Sequence, residues 1–411
     1  MIVHKNWHKY FAARAAYLLV ALVLALSLPV TLQAAPKLIS VKNITQFASE
    51  IDVELMVVTK NALITVRNSA TQNTNIEVKA EDFTGTILWE KVIDSGSDEV
   101  ATVIATDSTG NIWIGGNSSD NQSTESQTAT SATTSTPLNP DGVLVEDFPI
   151  LRSDMRQTML WQLSPAGELV TTFTYTGSEI SLVNALSINA SGASFLLARE
   201  SGFSLISSDL KGAFTKEVKI GGAKTMLTSI LRSSDGSVSL FGSSSETLGG
   251  KKLVGREDGV LIKVSKAGAI TNVVRSSAPK ALRIWNTATN SLLLTGSVKT
   301  ATSSESALTK FSSSFTPTWT TRIASTGRAI AANGAGGSFY VALEPTGSVK
   351  GLENFKATKG QSLVLNYDGK GVLIAAFSAA DLKSIKQITF SQLGGLFLLT
   401  DNAIFRVGAT K

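Results

Sequence analysis

Four pairs of neighbouring carboxylates, Glu81-Asp82, Asp98-Glu99, Glu146-Asp147 and Glu257-Asp258, are the groups in this chain best suited to catalysis. Two acids flanking one bond can share acid and base work in glycoside hydrolysis. They carry the enzymatic reading of the sequence, a carboxylate-based glycosidase or lyase acting on polysaccharide. Adjacent acids on a strand point to opposite faces, and no pair stands out from the others. Other chemistries are scarce. The 411 residues hold no Cys and two His, His4 and His8. Thiolate nucleophiles, thiolate metal sites and disulfides are excluded. Asn139, Asp141 and Glu146 offer oxygen ligands, but their spacing fits no complete twelve-residue calcium loop. No metal and no cofactor is expected.

The histidines belong to a segment that reads as a secretory signal. Lys5, Lys9 and Arg14 precede the apolar run AAYLLVALVLALSLPV, and TLQAAPK supplies a small-residue exit. Basic start, apolar centre and small-residue exit are the parts of an export signal, here residues 1–34 with the cut after Ala34. Left uncleaved, the 22 residues between Arg14 and Lys37 are long enough to anchor the chain in a bilayer. Removing the segment lowers the net charge from +5 to +2 and leaves no imidazole, so His-dependent triads and His-ligated metals are excluded too. The remaining charge is not clustered, and nucleic acid is not an expected partner. A secreted or cell-envelope location follows.

Any functional residue in the rest of the chain must be positioned by a repeat. One hairpin, two alternating apolar stretches around a polar turn, recurs as IDVELMVVTKNALITVRNS at 51–69, EVATVIATDSTGNIWIGGNS at 99–118 and SLVNALSINASGASFLLARES at 181–201. It returns at 224–244, 280–298, 327–346 and 385–402. A second hairpin stands between these copies, with turn glycines Gly85, Gly167, Gly212, Gly268 and Gly371 and with Phe315 where one repeat departs. Glycine suits the φ > 0 conformation of such turns. The seventh copy is split: AIFRVGATK matches one strand, and KLISVKNIT supplies the next. Four short strands every 45 to 55 residues predict an all-β, seven-bladed β-propeller over residues 35–411, closed by N- and C-terminal strands in one blade. An open solenoid or two sandwiches would use the same pattern differently.

The interval between Gly85 and Gly167 holds an insertion, Ser/Thr-rich and expected to be disordered over about 118–142. Shorter insertions, SSETLGGKKLVGREDG and EPTGSVKGLENFKATKGQ, occupy the same place in two later repeats. All three join second to third strands, at the end that also carries the blade-to-blade links. Those links carry Asp94, Asp98, Glu99, Glu179, Lys224, Lys280, Arg328 and Lys383, the candidate ligand-binding residues at the channel mouth. Trp89, Trp113, Trp161, Trp285 and Trp319 fall inside predicted strands, as packing between blades or as a stacking platform for sugars.

REDGVLIKVSKAGAI resembles the repeat of secreted bacterial β-propeller proteins, and ATDSTGNIWIGGNS looks like its following hairpin. That resemblance implies an exported binding or envelope-associated module. EDFTGTILWEKV is similar to pyrroloquinoline-quinone-type repeats at Asp82, Thr84, Gly85 and Trp89. This second likeness implies a noncatalytic relative such as an assembly scaffold, because the other copies lack the motif. The expected partner is a protein or glycan of the cell envelope, bound by a monomer.

Overall fold

The computed structural model describes residues 38–49, 52–70, 73–119, 154–177 and 179–408. The expected signal segment, the Asn139–Asp141–Glu146 oxygen set, the Glu146-Asp147 pair and most of the long insertion lie outside them. Residues 39–411 form one compact unit. Among the described residues the secondary structure is all strand apart from a 3-10 turn at Ala335–Gly337, and no helix is long and apolar enough to cross a membrane.

Two short strands come first, β1 (Val41–Asn43) and β2 (Thr45–Ser49). Four antiparallel meanders follow, each an independent four-stranded sheet. The first runs β3 (Leu55–Val58), β4 (Ala62–Ala70), β5 (Thr74–Asp82) and β6 (Ile87–Ile93). The second runs β7 (Glu99–Thr106), β8 (Ile112–Ser118), β9 (Gln157–Leu163) and β10 (Leu169–Thr176). The third is β11 (Leu182–Asn189), β12 (Gly192–Arg199), β13 (Gly202–Ser208) and β14 (Val218–Ile220). The fourth is β15 (Thr225–Arg232), β16 (Val238–Ser244), β17 (Asp258–Val264) and β18 (Ile270–Ser276).

An eight-stranded sheet comes next, running from β19 (Leu282–Ala288) through β20 (Leu293–Lys299), β21 (Ser304–Phe311) and the 17-residue β22 (Pro317–Asn333). It continues with β23 (Phe339–Pro345), β24 (Leu363–Tyr367) and β25 (Leu373–Ser378), and β1 pairs in parallel on its edge. The register breaks inside β22 between Ser325 and Ala329, where one meander passes into the next. The last sheet is β26 (Gln387–Ser391), β27 (Gly395–Leu399) and β28 (Ala403–Val407), completed by β2.

The pattern of burial follows from stacking these sheets face to face. Second strands such as β8 and β16 are buried at every residue, whereas the outer strand β6 is mostly exposed. Apolar side chains alternate into clusters shared by neighbouring sheets. Ala62, Ile64 and Val78 of the first meet Ile114 and Trp161 of the second. Burial of these faces is the main stabilising term. The fold is a β-propeller of repeated four-stranded units.

The segment KLISVKNIT was expected to complete the split repeat, and its role differs. Its Val41–Asn43 pairs in parallel with Ala376–Ser378. The partner of β28 is Thr45–Ser49, which begins at the last residue of that segment and whose Phe47 meets Phe397 edge-on at 5.3 Å. Ile39 and Val41 instead pack on the cluster around Leu352 and Leu365.

A repeated polar device ties the sheets together. The first strands β7, β11, β15 and β19 each skip one residue in their pairing: Thr102, Asn184, Thr228 and Asn286. A bulged residue is free of the ladder, and each of these reaches the first strand of the next unit. The Thr102 hydroxyl donates to the Val183 carbonyl at 2.6 Å, Asn184 to Leu227 at 2.7 Å and Thr228 to Trp285 at 2.8 Å. The Asn286 side-chain oxygen accepts from the Ala329 N–H at 3.5 Å, and Gln387 accepts from Met56 at 2.8 Å. Opposite three of the bulges stand Gly116, Gly242 and Gly296, where a Cβ would run into the carbonyl oxygen of Val100, Met226 or Ile284. Glycine is required there because the backbones approach so closely.

Candidate functional site

An antiparallel meander puts its 2–3 loop and its link to the next unit at one end, and its two remaining turns at the other. The points where the three insertions leave and rejoin their sheets, and all eight candidate linker residues, therefore share the first end. Two of the insertions are described in full. In the stretch 245–257, Leu248 and Lys251 form a small bridge, and the Arg275 guanidinium holds the base. Arg275 donates to the carbonyls of Ser244 and Lys251, both at 3.2 Å, and to that of Glu246. It also pairs with the buried Asp258 at 3.2 Å. Burial alone would raise the Asp258 pKa, but the N–H groups of Val254 and Gly255 together with Arg275 outweigh it and hold the carboxyl below its ordinary range. The stretch 346–362 is tied to the N-terminal strand by the parallel bridge Ile39–Leu352, and Ser40 donates to Glu353 at 2.8 Å. Of the long insertion, the first residue described is Ser119, whose N–H bonds the Asp98 carbonyl at 2.9 Å.

The eight linker residues do not converge on one point. Asp94 is exposed and accepts from Gly96, and the Asp98 carboxylate caps the Thr74 N–H at 2.7 Å. Glu99 is fully buried; one oxygen accepts from Ser95 and the other has no partner among the described residues. Burial pushes its pKa up, and the charges of Asp94 and Asp98 add to that. Glu179 accepts from Ser201 at 2.9 Å. Lys224, Lys280 and Lys383 are exposed, with Lys280 in the left-handed backbone region at φ 58°. Arg328 donates to the Lys386 carbonyl at 3.4 Å.

Arg328 also lines a hollow of about 370 Å³ between the eight-stranded and last sheets, with Glu344, Ser384, Lys386 and Asp401 around it. Lys386 pairs with Asp401 at 3.0 Å. Glu344, Lys386 and Asp401 were not singled out from sequence, because they lie in three different segments that only the fold brings together. In the fourth unit, Glu246 accepts from Thr225 and from the Gly222 N–H, which lowers its pKa.

A second cavity of about 450 Å³ is lined by first strands, with Thr102, Ile104, Leu186, Ser229, Asn290 and Gln387 among its walls. None of its lining residues is titratable. The pair Glu81-Asp82 lies outside this cavity: Glu81 is buried beside Lys79 at 3.3 Å, and Asp82 accepts the N–H groups of Thr84 and Thr86 in its own turn. Hydrogen bonds from Thr84 and Thr86 hold the Asp82 pKa low. Among the described residues no group of three or more acids could hold a metal ion.

The tryptophans divide into two kinds. Trp113, Trp161 and Trp285 are buried between sheets. Trp89 and Trp319 are half-buried and lie over turn glycines of the next unit, Gly167 and Gly371. Their indole N–H groups donate to Pro165 at 3.0 Å and Gly369 at 3.1 Å. Phe173 covers Gly212 in the same way, so these rings belong to the packing of one unit on another.

No protein-family model and no curated protein matches the chain in sequence. Among solved structures it is similar to the Dos1 propeller, at 12% identity over 90% of this chain and 83% of that one with a TM-score of 0.45. It is also similar to the β-propeller domain of the Trilobed protease from Pyrococcus furiosus, at 8% identity over 91% and 97% with a TM-score of 0.46. A third likeness is to BBS1N in complex with ARL6DN, at 9% identity over 90% and 99% with a TM-score of 0.47.

Proposed function

We propose that this chain is an exported, noncatalytic binding or scaffold protein that recognises a protein or glycan partner at the bacterial envelope through its loop-bearing end. The observation that carries this reading is the placement of all three insertions in 2–3 connections, beside the sheet-to-sheet links. Ordered anchoring of two of them, by Arg275–Asp258 and by Ile39–Leu352, supports a presented surface. The uncharged lining of the first-strand cavity favours binding over the alternative, a carboxylate glycosidase or lyase.

Seven blades in a closed ring form the scaffold of this reading. Dividing the eight-stranded sheet at the register break in β22 gives seven four-stranded antiparallel units, with β1 added in parallel on the edge of one of them. Consecutive first strands lie side by side, from β3 to β7 and onward to β22, β26 and back to β3. Negative-stain projections down the ring axis should show seven lobes; six or eight would refute the count.

The test of function is a pull-down from envelope extract. Deleting 119–139 and replacing 247–256 and 347–360 with short turns should abolish partner capture while thermal unfolding stays close to the parent. Retained capture by that variant overturns the reading, and release of reducing sugar from a polysaccharide panel by purified protein would favour the enzyme.

A further inference from the structure

The end opposite the insertions carries a cleft that the loop-face reading does not use. It lies between the third and fourth sheets, where the turns Asp209–Gly212, Ser233–Gly236 and Ser265–Gly268 meet, and its volume is about 590 Å³. That is within the usual range for small-ligand sites, roughly 300–1,000 Å³. The cleft exists because the outer strand of the third sheet is broken. Thr215 bonds Ser207 at 2.7 Å, Lys216 and Glu217 then leave the ladder, and β14 resumes for only three residues at Val218. Outer strands β6, β10 and β18 run for seven or eight residues.

Four cations line this cleft: Lys216, Lys219, Lys266 and Arg232. The three lysines are exposed and form no ion pair among the described residues. Arg232 is half-buried, and its guanidinium is held by neutral groups: the Ser191 hydroxyl at 3.2 Å, the Ser194 hydroxyl at 2.8 Å and the Ser191 carbonyl at 3.1 Å. The two acids in the lining are already engaged. Glu217 is gripped by both guanidinium nitrogens of Arg199 and by the Tyr175 hydroxyl, and Asp209 caps Lys211 and Ala213 in its own turn. Asp235 accepts from Ser237, and its charge acts on Arg232 from outside the lining. Four cations against two carboxylates, one of them paired with Arg199, leave the lining net positive, which favours an external anion.

Its other walls identify the kind of anion. Hydroxyls of Ser191, Ser207, Thr215 and Ser265 line it, and no aromatic ring does. Nucleic-acid strands are held on stacked aromatic rings, which this cleft lacks. Hydroxyl-rich, concave and cationic walls suit a sugar acid. We propose that this cleft binds an anionic oligosaccharide, its carboxylates on Arg232 and the lysines and its hydroxyls on the serines and Thr215.

The experiment is titration of purified protein with tetragalacturonate, followed by calorimetry, with maltotetraose as the uncharged control. Tetragalacturonate should bind, maltotetraose should not, and affinity should fall at least about tenfold between roughly 50 and 300 mM salt, on the order expected for several ionic contacts. The triple variant Lys216→Gln, Lys219→Gln, Lys266→Gln changes only exposed side chains and should lose at least about tenfold in affinity with unchanged unfolding temperature. Equal binding of the two tetrasaccharides, undiminished binding by the triple variant, or no binding of tetragalacturonate overturns the proposal. So does equally tight binding of single-stranded DNA, which would mark a general polyanion surface. The loop-replaced variant must still bind, so failure here and failure of the loop-face reading are separate results.

Discussion

Replacing Phe315 by Gly tests whether packing or backbone strain governs the turns of this fold. Phe315 occupies the turn position where other repeats have glycine, with φ at 63°. It is 3% exposed and meets Phe241 at 5.9 Å in an edge-on contact. In the matching turn Gly212 has φ 86° and lies under the Phe173 ring, with no space for a Cβ. The ring thus comes from the turn itself in one repeat and from the neighbouring unit in the other. Left-handed backbone costs a non-glycine residue about 1–2 kcal/mol, which Phe315→Gly relieves. Glycine returns about 0.5–1 kcal/mol of that through the flexibility of the unfolded chain. Loss of a buried Phe ring costs about 3–5 kcal/mol. Packing wins, and the variant should be less stable by about 2–4 kcal/mol. With a urea dependence of about 3 kcal/mol/M, the unfolding midpoint falls by about 1 M. Phe315→Ala keeps the strain and loses the ring, so it should fall about 1 kcal/mol below Phe315→Gly. An unchanged or raised midpoint for Phe315→Gly would mean that strain, not the ring, dominates at this turn.

Three further outcomes follow from the same structure. Thr228→Val keeps the side-chain shape but removes the donor to the Trp285 carbonyl, and thermal unfolding should report a loss of about 1 kcal/mol. Gly242→Ala drives a Cβ into the Met226 carbonyl and should cost about 3 kcal/mol or more, read as a lowered urea midpoint. Glu99→Gln removes a buried charge whose folded-state pKa is raised by burial and by Asp94 and Asp98. A raised folded-state pKa favours the protonated native form. Its contribution is complete below the ordinary value of 4.5 and is lost as pH rises through the folded-state value. The variant should therefore gain stability over the parent as pH rises above 4.5, measured by urea unfolding at each pH, and parallel curves would count against this account.

The repeat was legible because its turns and its apolar alternation are local. Asp82, Asp107, Asp209 and Asp368 each accept N–H groups two and four residues ahead, so a turn with this chemistry is written within five residues. Pairing between distant segments is less legible. The alternation of Ile39 and Val41 suits any sheet edge, and Phe47 packed on Phe397 marks Thr45–Ser49, not Val41–Asn43, as the partner of β28. The bulges were hidden for a related reason. Thr102, Asn184, Thr228 and Asn286 look like ordinary polar positions in half-buried strands, and their role appears only when the next unit is beside them. The paired signal, a Thr or Asn in the first strand with a glycine in the second, is present for Thr102, Thr228 and Asn286 but not for Asn184, where Leu197 stands opposite Val183.

The same distinction explains what could be read of the sites. Insertions are visible as breaks in a spacing, so the loop-bearing end was legible without coordinates. Charges are visible one by one, but whether a charge is free depends on residues far away in sequence. Glu217 would read as a counter-charge to Lys216 and Lys219 beside it, yet Arg199 and Tyr175 hold its carboxylate. Glu257-Asp258 reads as a catalytic pair, yet Asp258 faces Arg275 and helps fix the base of an inserted loop. Among the pairs described, the aspartates Asp82, Asp98 and Asp258 are engaged in a turn, a cap and a loop anchor. Conversely, Arg232, Lys219 and Lys266 come from separate hairpins and become one cationic surface only because β14 is short. Chemistry in this fold is decided by which charges the architecture leaves unanswered, and that is settled where neighbouring units meet.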